Sequence, residues 1–186
     1  MHVKQLTPEN WLEPDPRSIP WGSWPPAADG RPRASLRGED WVEALIQHQL
    51  SPAVPDEVGH LFEVARAIFV YGYCFYPLYA HGIEQLPRVA EAAVKHRCRM
   101  VGAPVQVQQG KRTRLTTFAE NLRSLVDRGE LDTAQQTEWE GMRQARNFAS
   151  HLDDVTIIPP TLAPQALART ARLINALFAP PVATAP

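Results

Sequence analysis

Residues 133–154, TAQQTEWEGMRQARNFASHLDD, hold the densest set of side chains in the chain that could do chemistry. Arg143, Asn147 and His151 recur at intervals of four, which on a helix places them along one face. Arg146 lies about 100° round from Asn147, and its long side chain reaches the same space. Ser150 sits one turn from Arg146. An imidazole moves protons near neutral pH. A guanidinium binds phosphate through two nitrogens and stabilises charge that builds in a transition state, and a carboxamide orients either group. These are the parts needed to cleave RNA without a metal: a group for the 2′-hydroxyl proton and groups for the phosphorane oxygens.

The same residues have an inert reading. A histidine near a helix C-terminus interacts with the helix dipole while the arginines face water. An Arg a few positions ahead of a His carries little weight in a chain with sixteen Arg and six His. The tighter pattern Arg-Asn-x-x-x-His inside a helical segment occurs only at His151. Asp153 and Asp154 follow two and three positions on; they favour the protonated imidazole and weaken attraction for RNA.

The elements that must position this helix can be read from apolar spacing. Within it, Trp139, Met142, Ala145, Ala149 and Leu152 form a separate core stripe, and Asp132 or Thr133 caps its start. Ahead of it the pattern predicts a short helix over 39–50, with Trp41, Leu45 and Ile46 on one face. A long helix from Asp56 to about 73–75 buries Val58, Leu61, Val64, Ala65, Ile68 and Phe69. A second long helix runs to about Met100, kinked or broken at Pro87. In it Glu84, Arg88, Glu91 and Lys95 form a ladder that reads most simply as a solvated salt-bridge stripe. Residues 102–112 read as a loop carrying the basic cluster Lys111, Arg112 and Arg114. A helix over 115–127 ends at Gly129, and a last helix spans about 164–178. Val155–Ile158 is the one β-like run.

The expected fold class is therefore all-α: an extended Pro/Trp-rich arm over 1–38, a helical bundle over 39–178 and a tail over 179–186. Seven prolines in the arm exclude a long helix there. Trp11, Trp21 and Trp24 suggest that it is pinned to the bundle by tryptophans, with a disordered leader as the alternative.

Composition narrows the classes further. The chain has 186 residues, 44% apolar, enough for a buried core, and a formal net charge of -1 excludes a global basic field. Cys74 and Cys98 lack metal or disulfide spacing and read as reduced thiols. His48, His60, His81 and His96 show no HExxH-type spacing, and no glycine-rich phosphate loop precedes a helix. Ser150 beside His151 is not a triad, because neighbouring helical residues diverge. No metal and no cofactor are expected. The apolar run 67–80 is too short to span a bilayer, and residues 1–20 have no apolar signal core. A cytoplasmic, soluble protein with no membrane partner is the expectation.

Arg146-Asn147-x-x-x-His151, the preceding LTTFAENLRSLVDRGEL and the early segment FVYGYCFYPLYAHGIEQLPRVAEAAVKHRCRMVG together resemble the HEPN superfamily over about residues 56–178. The resemblance implies a five-helix HEPN-like bundle that homodimerises so that two Arg-x(4–6)-His motifs face one cleft. It further implies a metal-independent endoribonuclease of toxin or antiviral defence type. Arg146 would stabilise the scissile phosphate, His151 would act as acid or base, and Asn147 would orient them. Arg143, Ser150 and Glu91 would line the substrate site, with Glu91 matching a polar residue of the earlier helix. A neutralising antitoxin would be a partner. Residues 1–55 fall outside the resemblance.

Three readings stay open on the sequence. The chain is an RNA-cleaving effector, or a non-catalytic HEPN-like module whose same residues hold a dimer or a nucleotide, or a subunit of a larger complex docked through its N-terminal arm.

Overall fold

Apolar residues recurring at three and four set the architecture, and the polar turns between them set its order. The computed structural model describes residues 3–19, 37–149 and 158–180. Among these the chain is mostly helical: α1 (Gly38–Ile46), α2 (Asp56–Gly72), α3 (Leu78–Met100), an antiparallel hairpin β1 (Gln106–Gln109) and β2 (Arg112–Leu115), α4 (Phe118–Asp127), α5 (Thr133–Ala149) and α6 (Leu162–Leu177). No described helix is long and apolar enough to cross a membrane.

The central element is α3, which packs against α2, α4, α5 and α6. Its buried face carries Tyr79, Leu86, Val89, Ala90, Ala93, Val94 and Cys98. Pro87 is buried within it and does not break it. The proline only forfeits the hydrogen bond that its missing N–H would have made one turn back. Two close approaches fix α2 on α3. A Cβ added at Gly82 would run into the Phe69 ring, and one at Gly72 would meet the Tyr79 ring at 2.8 Å. The Tyr79 ring is edge-on to Trp41 at 5.5 Å and to Tyr76 at 5.3 Å. Trp41 is wholly buried, and its indole N–H donates to the Phe69 carbonyl at 2.9 Å, which ties α1 to α2.

Three details differ from the sequence expectation. The buried face of α2 runs through Val58, Phe62, Ala65 and Phe69, while Val64 is exposed and Leu61 only half-buried. Phenylalanine at 62 and 69 offers more area to bury than the aliphatic stripe beside it, and it wins the core. Second, the segment expected to be a loop forms the hairpin. Third, α4 begins at Phe118 rather than Leu115. Thr117 and Glu120 make a reciprocal capping box that defines the start. Asp132 and Gln135 do the same for α5: each backbone amide donates to the other's side chain, at 2.9 and 2.7 Å. Of the β-like run 155–158, only Ile158 is described, and it is buried.

The N-terminal segment 3–19 lies on the α2–α3 turn, but Trp11 does not pin it. Trp11 is 56% exposed; Trp21 and Trp24 lie outside the described residues. Polar groups hold the segment instead. Lys4 Nζ donates to the carbonyls of Asn10, Glu13 and Cys74. The Asp15 amide donates to the Tyr73 carbonyl at 2.8 Å, and the Ser18 hydroxyl to that of Gly72 at 3.2 Å.

Candidate functional site

The helix expected to carry chemistry is α5, and its first half is committed to packing. Trp139 and Met142 are buried, and the Trp139 ring meets Phe118 edge-on at 6.5 Å. From α6, Arg172 pairs with Glu138 at 3.0 Å, and Arg169 donates to the Glu138 carbonyl at 3.3 Å. The Arg169 guanidinium passes so close to Gly141 that a Cβ there would meet it at 2.8 Å. Sequence spacing did not reveal this arginine pair, because it crosses between helices.

The second half of α5 continues as unbroken helix through Arg143, Arg146 and Asn147 to Ala149. Four-residue spacing there is therefore helical spacing. The side chains of these three residues are not among those described, and Ser150 and His151 lie outside the described residues, as do Asp153 and Asp154.

On the facing helix α3, Glu91 is half-buried. The ladder expected around it does not form. Glu84 turns to His81, with 3.3 Å between the carboxylate and Nδ1. Among the described residues Arg88 and Lys95 make no ion pair, with Glu91 or otherwise. The solvated stripe of Glu84, Arg88, Glu91 and Lys95 is therefore not assembled from Arg88 and Lys95. What remains is a carboxylate half-buried on the helix that packs against α5.

Elsewhere, an open cavity of about 400 Å³ lies between the α1–α2 connection and the start of α2. Asp56, His60, Glu63 and Arg66 line it, with Gln49 and Ser51. Arg66 is spent on structure: it pairs with Glu63 at 2.6 Å, donates to the His48 carbonyl and lies 5.2 Å over the Phe62 ring. Burial, and then the Arg66 charge, push the His48 imidazole below its ordinary range. Among the described residues no group of three His, Cys, Asp or Glu side chains could hold a metal ion.

Two charged clusters have their protonation fixed by neighbours. Burial would raise the Asp15 carboxyl. The Arg17 guanidinium and the amides of Arg17 and Tyr76 outweigh it and hold the group below its usual range. Arg17 in turn lies 4.8 Å over the Tyr76 ring. Glu120 is held at about 2, first by the Arg114 guanidinium and then by the Thr117 amide.

No family model matches the chain, and no curated protein and no solved structure matches it either.

Proposed function

We propose that the chain is an HEPN-like helical domain that cleaves RNA without a metal, at a site on the C-terminal half of α5. The observation that carries this reading is the unbroken helix through Arg143, Arg146 and Asn147 in α5, an element that packs against α3, on which Glu91 is half-buried. A helix that continues to His151 sets Arg143, Asn147 and His151 along one face, with Arg146 about 100° round from Asn147 and within reach of it.

In this account the His151 imidazole takes the proton of the 2′-hydroxyl. The 2′-oxygen attacks phosphorus, and the bond to the 5′-oxygen breaks as that oxygen gains a proton. The products are a 2′,3′-cyclic phosphate and a 5′-hydroxyl, with no outside co-reactant. Arg146 holds the phosphorane oxygens, Asn147 orients the reacting groups, and Arg143, Ser150 and Glu91 complete the lining. Two copies facing each other bring two such motifs to one cleft. A toxin or antiviral role, with a neutralising partner, follows from the same resemblance.

The test is cleavage of a single-stranded RNA in EDTA, beside the same oligonucleotide made of DNA. RNA cut to cyclic-phosphate ends, with DNA intact, supports the mechanism. Cleavage of both, or dependence on a divalent ion, rejects it. RNA left whole by a folded dimer favours the non-catalytic module instead.

A further inference from the structure

Residues 92–119 contain six Lys or Arg and no Asp or Glu, in a chain whose net charge is -1. The stretch comprises the last turns of α3, the hairpin and the start of α4. Carboxylates from other elements compensate part of it: Glu130 pairs with Arg97, and Glu120 with Arg114 at 2.6 Å. Arg99, Lys111 and Arg112 are exposed and make no ion pair among the described residues. The surplus charge therefore collects at the end of α3 and the tip of the hairpin.

The hairpin is built to hold that tip in place. Gly102 ends α3 with φ 66°, and the Ala103 amide donates to the Cys98 carbonyl at 2.8 Å, so the chain leaves the helix through a tight left-handed cap. Arg128 donates to the carbonyls of Val101 and Gly102 at 3.1 and 3.2 Å and secures the same corner. At the far end Gly110 has φ 63°, while Lys111 is not in the left-handed region. That is the two-residue turn with glycine first, whose twist suits antiparallel strands. Gln109 faces Arg112 across the closing pair, and Val107 faces Arg114. Arg114 leans back to Glu120 through two hydrogen bonds, at 2.8 and 2.6 Å, and anchors one face. The opposite face, with Gln106, Gln108, Thr113 and Leu115, is exposed.

We propose that this hairpin is the arm that grips the backbone of single-stranded RNA, with Lys111 and Arg112 on phosphates and the glutamine face toward bases and riboses. Naming RNA as the polyanion rests on the proposed function; the phosphate contact rests on the hairpin itself. Exposed cations with no carboxylate partner release counterions when they meet phosphates. Gln109, paired with Arg112, puts a neutral amide beside the cations, and Gln106 and Gln108 carry amides on the opposite face; such groups donate and accept, as unstacked bases require.

The test is fluorescence anisotropy of a labelled single-stranded RNA across a salt titration, in a His151→Ala background so that nothing is cut. Lys111→Gln with Arg112→Gln is expected to weaken binding roughly tenfold and to lower the log K against log salt slope by about 1.4, two contacts at about 0.7 each. Arg88→Gln, a distant exposed cation, leaves both unchanged. Unaltered affinity and slope in the double variant overturn the arm, and so does absence of RNA binding by the starting protein. Loss of binding in the double variant, where the protein with native His151 never cuts RNA, keeps the arm and removes the nuclease. Cleavage by Lys111→Gln/Arg112→Gln with unchanged KM removes the arm alone.

Discussion

The carboxylate of Asp15 accepts the backbone amide of Tyr76 at 2.9 Å, across 61 residues of chain. The Tyr76 hydroxyl donates to the Ile158 carbonyl at 2.7 Å. One residue at the α2–α3 turn thus joins the N-terminal segment to the stretch that enters α6. Asp15 is fully buried, and it is tolerated there because Arg17 also donates to it through its amide, Nε and a terminal nitrogen.

Asp15→Ala removes all four hydrogen bonds and leaves the Tyr76 amide without an acceptor. The expected loss is about 2–3 kcal/mol of unfolding free energy, read as a lower urea midpoint. Because the segment ends free of its anchor, proteolysis within 3–19 accelerates as well. A midpoint equal to wild type shows that the contact contributes nothing.

Gly82 lies where α2 and α3 come nearest. Gly82→Ala drives a methyl into the Phe69 ring, and the expected cost is about 1–3 kcal/mol of overpacking. Phe69→Leu in the same chain removes the clashing ring and recovers part of that loss, so the double variant is more stable than additivity predicts. Strict additivity contradicts the close packing.

Acid stability carries the mark of Glu120. Its folded value of about 2 lies below the ordinary 4.5. Its contribution is therefore complete above pH 4.5 and is lost as pH falls through that interval toward 2. Thermal melts between pH 5 and pH 2 are expected to show a decline that Glu120→Gln makes shallower. Parallel curves for the two proteins reject the Arg114–Glu120 clasp as its source.

Much of the fold is legible in the sequence because helices declare themselves locally. Pro77 precedes α3, Gly129 follows α4, and the Asp132–Gln135 exchange marks the start of α5 where the apolar stripe first appears. The hairpin escaped because only Val105 and Val107 alternate ahead of its turn; the legible signal was Gly110 between Val107 and Thr113, a turn glycine flanked by β-formers. The anchoring of 3–19 escaped for a different reason. The hold comes from one buried carboxylate and one lysine rather than from the prolines or Trp11, and their partners lie about 60–70 residues away in sequence. At the candidate site, the helix under Arg143, Arg146 and Asn147 was legible from periodicity. The pairing of Glu84 was not, because one turn away it finds His81 instead of Arg88.

The most direct test of the account is RNA cleavage in EDTA by wild type and by His151→Ala, with both proteins shown by light scattering and circular dichroism to have the same size and helicity. Wild type is expected to cleave, and the variant to fall by at least about a hundredfold, the scale of a lost proton-transfer group. Equal cleavage by the two proteins, or none by either, contradicts it.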